Sequence, residues 1–237
     1  MCFSANASFA ASAALIPGGG FCVLSVLRAR KYRYLPLSVV PVFFGVQQFF
    51  EGQVWRALAY GDAGQAMCKI YSQLFLFFAL SFWPVWMPFL AMTAEKRPRW
   101  RLFMATMMVV GLALGDLMFG PVASDTTGWL KTVVVCNSIS YKYTGALMFQ
   151  TVTTDLMRFL YLLVAGAPLL LSSDVIVKRF GVLLVVSAVA SHLFFTYAFS
   201  SVWCFFSAVM SGYLCWALRS TTEPSFFRLP NFGFNFR

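Results

Sequence analysis

Charge is what this chain has least of. Asp, Glu, Lys and Arg make up 11% of its 237 residues, against roughly 25% in an ordinary soluble domain. That shortage excludes a soluble enzyme. Histidine occurs once and acidic residues eight times, so a zinc-type centre, which usually takes three or four protein ligands, has little to draw on. Glycine and proline, 16 and 10 residues, are too few for a collagen-like or low-complexity chain, and six cysteines are too few for a disulfide-stapled scaffold of this length. No internal repeat is visible. Apolar residues are abundant instead, at 60% hydrophobic and 18% aromatic. Seven membrane helices of ~20 residues need about 140 positions, which this length accommodates with loops to spare. The expected fold class is an all-α integral membrane protein, a seven-transmembrane-helix bundle.

The apolar stretches run at roughly 8–27, 35–55, 67–90, 102–122, 152–171, 180–199 and 200–218. The first lacks a basic n-region and a small-residue cleavage site, so it reads as a retained helix, not a signal peptide. Breakers fall inside several spans: Pro17-Gly18-Gly19-Gly20 is expected to interrupt the first, with Pro41, Pro84, Pro88 and Pro168 in later ones. These read as packing devices, or else as a hinge or ion site. Thirteen of the 18 cations follow odd-numbered spans, namely Arg28, Arg30, Lys31, Arg33, Lys96, Arg97, Arg99, Arg101, Lys178, Arg179, Arg219, Arg228 and Arg237. By the positive-inside rule, the N-terminus is expected outside and the C-terminus in the cytoplasm. The net charge of +10 is thus topological. With no soluble domain to shape a basic groove, it does not point to nucleic acid.

Residues 1–219 are expected to form one membrane domain and 220–237 an aromatic cytoplasmic tail, whose five phenylalanines suit a membrane interface or a membrane-protein partner. Between spans four and five, at about 128–145, Lys131-Thr-Val-Val-Val135 and the segment to Lys142 are β-branched and aromatic, with Asn137-Ser138 near their centre. This predicts an external β-hairpin over the bundle. Four cysteines fall on the outer side: Cys2, Cys68, Cys136 and Cys204. Cys68 and Cys136 are the disulfide candidates, tying the hairpin to span three if the outer side is oxidising. Cys22 and Cys215 read as buried thiols.

A hairpin after span four with a cysteine atop span three resembles the layout of rhodopsin-like receptors. The likeness stops at architecture. Span three ends Met92-Thr93-Ala94-Glu95 without an Asp-Arg-Tyr triplet, and span seven reads Ser211-Gly212-Tyr213-Leu214-Cys215 without Asn-Pro-x-x-Tyr. It also lacks the lysine that a retinal Schiff base requires.

Ionisable residues inside spans are costly and mark sites by default. Gln47, Glu51 and Trp55 recur at i, i+4, i+8 with Gln48 beside them, forming one polar stripe on a helix. Counting about 1.5 Å per residue from the outer ends places Glu51, Asp116, His192 and Cys204 at shared depths of roughly 6–10 Å. Span seven shows Ser200, Cys204, Ser207 and Ser211 on one face, and Asp155 and Arg158 form an i,i+3 pair. Three readings follow. One is an interhelical network, for example Glu51 with Arg56, Arg158 or His192, that fixes helix register. The second is an outward-facing pocket for a small molecule, lipid or ion, lined by Gln47, Gln48, Glu51, Trp55, Asp116, His192, Trp203 and Cys204. The third is catalysis, with Glu51 or His192 as general base. Cys2, Glu51, His192 and Cys204 are the weak metal candidates, and no cofactor is specified. Membrane hydrolases of the ceramidase and adiponectin-receptor type also have seven spans, but their several metal-binding histidines are missing here.

Three motifs, Met1-Cys2-Phe3-Ser4-Ala5, Phe44-Gly45-Val46-Gln47-Gln48-Phe49-Phe50-Glu51-Gly52-Gln53-Val54-Trp55 and Val202-Trp203-Cys204-Phe205-Phe206, resemble an uncharacterised, mainly bacterial family of polytopic membrane proteins that open with Met-Cys-Phe-Ser-Ala. The resemblance implies a multi-pass protein of a bacterial inner or plasma membrane. It singles out Cys2, Gln47, Gln48, Glu51, Trp55, Trp203 and Cys204 as motif positions and supplies no activity. The expected function is therefore non-enzymatic: binding or sensing a small molecule or lipid in the outer pocket, or serving as a membrane subunit of a larger assembly. The alternative is a membrane-embedded, hydrolase-like enzyme, metal-dependent or not, using Glu51 and His192.

Overall fold

A computed structural model describes residues 4–125, 130–142 and 154–222. Helix α1 (Ala5–Arg28) is followed by the short α2 (Leu35–Ser38) and by α3 (Val40–Ala59). Then come α4 (Gln65–Leu76), a π-helical turn at Phe77–Phe82, α5 (Trp83–Ala94) and α6 (Pro98–Ala123). A hairpin of β1 (Lys131–Val135) and β2 (Ser138–Lys142) precedes α7 (Thr154–Leu170), α8 (Val175–Phe194) and α9 (Phe199–Thr222). Five helical stretches are long and apolar enough to cross a membrane: Ala5–Arg28, Gly61–Ala94, Pro98–Ala123, Val175–Phe194 and Phe199–Arg219. Cys2 and residues 223–237, hence the metal reading that uses Cys2 and most of the aromatic tail, lie outside the described residues.

The breakers act differently from one another. Pro17-Gly18-Gly19-Gly20 does not interrupt α1, which is helical throughout. The glycines let α1 and α3 cross closely instead. A Cβ on Gly19 would lie 2.7 Å from Val42 N, and one on Gly45 would lie 2.7 Å from Ile16 Cγ1. Pro84, by contrast, follows the π-helical turn at Phe77–Phe82, as expected where a residue without an N–H disrupts the i→i−4 ladder. Helix α6 packs on this irregular stretch through Gly111 and Gly115, spaced as in a GxxxG contact. A Cβ at Gly111 would lie 2.1 Å from Pro84 O, and one at Gly115 would lie 2.9 Å from Ser81 Cα.

At one end of the bundle a polar clasp ties three connections together. Glu95, after α5, accepts from Lys96 N and Arg97 N at 2.9 Å each, from Arg97 Nε at 3.1 Å, and from Ser173 N and Oγ at 2.7 and 2.6 Å. Burial alone would raise the Glu95 pKa, but the bonds from Arg97 and Ser173 overcome it and hold the carboxyl well below the usual range. Beside it, Tyr34 Oη donates to Asp174 Oδ2 at 2.6 Å and accepts from Arg33 Nη2 at 2.7 Å. Burial first, then Asp174, pushes Tyr34 up to about 12. Asp174 also caps α8 by accepting from Ile176 N and Val177 N.

The hairpin closes the other end. Its turn is Cys136-Asn137, with φ of 48° and 56° and Val135 paired to Ser138, as a type I′ turn requires. The turn therefore falls one residue before the anticipated Asn137-Ser138 centre. Ile139 is fully buried against Val54, Ala57 and Cys68, Tyr141 stacks on Phe75 with ring centroids 5.0 Å apart, and Ser72 and Thr132 share a 2.9 Å hydrogen bond. This seating does not support the expected Cys68–Cys136 bridge. Both are free thiols, Cys68 buried and Cys136 exposed, because Ile139, and not the turn, is what the hairpin packs on Cys68.

Candidate functional site

Helix α9 is the hub of the site, packed on α1, α3, α8 and β2. Its inward face carries Ser201, Cys204, Ala208 and Ser211, all buried, at helical spacing. Opposite lies the α3 stripe, where Gln47 and Gln48 are fully buried and Glu51 is 1% exposed. Two linked sets of hydrogen bonds join these faces. In one, Trp83 Nε1 donates to Gln47 Oε1 at 2.8 Å and Gln47 Nε2 donates to Cys204 Sγ at 3.2 Å, with Phe44 stacked on the Trp83 ring at 4.0 Å. In the other, Gln48 Nε2 donates to Glu51 Oε2 at 3.1 Å and Ser201 Oγ donates to Glu51 Oε1. A charged side chain at mid-span costs roughly 2.5–3.5 kcal/mol on insertion scales. None of the ion pairs among the described residues includes Glu51.

The polar inventory around this carboxylate is unbalanced. Gln48 Oε1, Trp55 Nε1, Tyr141 Oη and Ser8 Oγ are buried without a hydrogen-bond partner, although such groups are nearly always satisfied. Tyr141, on the hairpin, is pushed well above its ordinary pKa by burial first and then by the Glu51 charge, so it stays a neutral hydroxyl. Cys204 also borders two cavities. One, about 40 Å³, is lined by Met157, Arg158, Tyr161, Ser200, Trp203 and Cys204 among others. The other, about 10 Å³, lies between Phe44, Trp83, Trp203, Cys204 and Ser207 and is of the order of one water molecule. Trp203 lines both, its Nε1 donating to Leu184 O at 3.3 Å.

Gln47, Gln48, Glu51, Trp55, Trp203 and Cys204 thus gather on the α3 and α9 side of the bundle. Asp116 and His192 do not join them. Both are exposed, on α6 and α8, and no hydrogen bond or ion pair connects either to Glu51; His192 instead lies edge-on to Phe199 with centroids 6.4 Å apart. Among the described residues no cluster of three or more His, Cys, Asp or Glu could hold a metal ion. Arg56 is exposed, and Arg158 pairs with Asp155 at 3.4 Å while its guanidinium lies 4.8 Å from the Phe199 ring centroid. Neither neutralises Glu51. Ser201, Tyr141 and Ser8 are site residues that sequence reasoning missed. Ser201 was legible as the position three before Cys204; Tyr141 depends on where the hairpin docks. No curated protein and no solved structure matches the chain. A family model described as a family of unknown function (DUF6629) matches residues 1–227, and the chain belongs to that family.

Proposed function

We propose that this is a seven-span integral membrane protein of a bacterial inner or plasma membrane, N-terminus outside, that binds or senses a small molecule or lipid in an outer-leaflet pocket without chemically transforming it. To the five long apolar stretches the reading adds α3, whose 20 residues reach ~30 Å at 1.5 Å per residue, and α7, packed on α5 and α8. Orientation rests on the cations that crowd the clasp end. One observation carries the binding role: a fully buried carboxylate without a cationic partner belongs to the same pair of helix faces as Cys204, which walls a 40 Å³ cavity. A network serving register alone would have its polar atoms satisfied. The test is native mass spectrometry of the detergent-purified protein. A bound non-protein species is expected on the wild type and on His192→Ala, and is lost when Ser200→Trp fills the cavity. Bare protein in all three sinks the binding role and leaves the register network.

A further inference from the structure

Around Glu51 several buried oxygens have lone pairs to spare. Each carboxylate oxygen receives one donor, from Ser201 Oγ and Gln48 Nε2, whereas Gln48 Oε1 and Tyr141 Oη are buried oxygens with no partner. Gln48 is fully buried, and its amide is held by the bond to Glu51, so its free oxygen stays beside the carboxylate. Tyr141 is on β2, which packs on α9, the helix that carries Ser201, and its hydroxyl is within electrostatic reach of Glu51. Ser8 Oγ, also unpartnered and fully buried, precedes Phe9, whose ring packs on Gly52 next to Glu51. Free oxygen lone pairs around an unpaired negative charge are what a hard cation needs.

We propose that Glu51, Gln48, Ser201 and Tyr141 form a binding site for an alkali cation, with Na⁺ the ion that fits. This goes beyond the binding reading above and concerns other side chains than those lining the 40 Å³ cavity. Charge decides the valence. One carboxylate neutralises one monovalent ion, while a divalent ion would leave a net positive charge inside a span, at the cost that excludes unpaired charges there. Ligand type decides the class. Two carboxylate oxygens, the Gln48 carbonyl and two hydroxyls are hard donors, and hydroxyl oxygens that donate to one partner keep lone pairs for an ion. Glu51 is closed to 1% exposure, which favours a small alkali ion, since it needs fewer oxygens to replace its water. Trp55 Nε1 is a donor and takes no part.

The test is thermal unfolding and calorimetric titration of the full chain in detergent, with NaCl exchanged against choline chloride at constant ionic strength. Na⁺ is expected to raise the unfolding temperature saturably, K⁺ to act only at higher concentration, and Glu51→Gln to lose the response. Tyr141→Phe, which removes only a hydroxyl, is expected to raise the half-saturating Na⁺ concentration about tenfold, the equivalent of one lost ligand at 1.4 kcal/mol. It carries the decision if Glu51→Gln fails to fold. Equal behaviour in NaCl and choline chloride overturns the proposal, as does an unchanged titration in Tyr141→Phe or an intact response in Glu51→Gln. Ser200→Trp separates the two readings: it is expected to keep the Na⁺ response even where it loses the cavity's occupant.

Discussion

Replacing Glu95 with glutamine tests the clasp, and with it the physical account of how the cationic end is held. The substitution preserves shape and leaves a single acceptor oxygen. If that oxygen occupies the Oε1 position, the new amide group faces Ser173 N and Arg97 Nη2, which now donate to Oε2 at 2.7 and 3.2 Å. Two donors then meet a donor. Stranding a buried backbone N–H costs about 1–3 kcal/mol, and the bonds that survive lose their charge assistance. The Arg97 share is discounted, since its side chain is 47% exposed and solvent screens it. A total of about 3 kcal/mol follows, or roughly 6–12 °C at 2–4 °C per kcal/mol for a domain of this size. Because the folded pKa of Glu95 is depressed, its contribution is full above the unfolded carboxylate value near ~4.3 and is lost only as pH falls through the lower folded value. The gap between wild type and Glu95→Gln should therefore stay constant from neutral pH to about 5 and close only in stronger acid. Thermal unfolding in detergent with hydrogen exchange at residues 95–97 and 171–174 is the assay. A melting temperature within about 2 °C of wild type, or a gap that closes near neutrality, refutes the reasoning.

Three further outcomes follow. Gly111→Ala places a Cβ 2.1 Å from Pro84 O, so α6 must shift and stability should fall by about 1–3 kcal/mol, whereas Gly20→Ala, whose Cβ meets nothing within 4 Å, should be neutral in the same melts. An impermeant maleimide applied to the outside of intact cells should modify Cys136, exposed at the hairpin turn, and spare the buried Cys68 and Cys204; Cys136 labelling only after the membrane is breached would invert the proposed orientation. Tyr34, raised to about 12, stabilises its contact to Asp174 fully below its unfolded value near ~10 and loses that contribution as pH rises through the folded one. Tyr34→Phe should cost about 1 kcal/mol at neutral pH and abolish the wild type's loss of stability between pH 10 and 12.

Apolar length carried much of this fold because a membrane leaves the chain few choices. Backbone groups without water must bond within a helix, so apolar length maps directly onto helices such as α6 and α8. The hairpin was legible from its β-branched run, and its turn missed by one residue because Cys136, not only Asn137, accepts a positive φ. The Gln47, Gln48, Glu51 stripe was legible for the same reason as the helices. Depth, however, fixes only one coordinate. Asp116 and His192, expected at the height of Glu51 by counting, are exposed, since rotation about a helix axis depends on packing partners. For α6 those partners are set by Gly111 and Gly115 against Pro84 and Ser81, which turns Asp116 away. The missing support for the Cys68–Cys136 bridge has a similar origin, because which hairpin residue sits on α4 is a tertiary outcome.

The clasp also makes the bundle mechanically lopsided. With Glu95, Arg97, Ser173, Asp174 and Tyr34 interlocked, the helices α1, α5, α6, α7 and α8 share one anchored base. At the far end the lid is a two-stranded ribbon, a structure of marginal stability on its own, seated by Ile139, Tyr141, the Ser72–Thr132 bond and, at its start, Asp125, which accepts from Leu130 N and pairs with Lys69. The ribbon end is therefore the one expected to open first, because a two-stranded ribbon can lift without unwinding a helix.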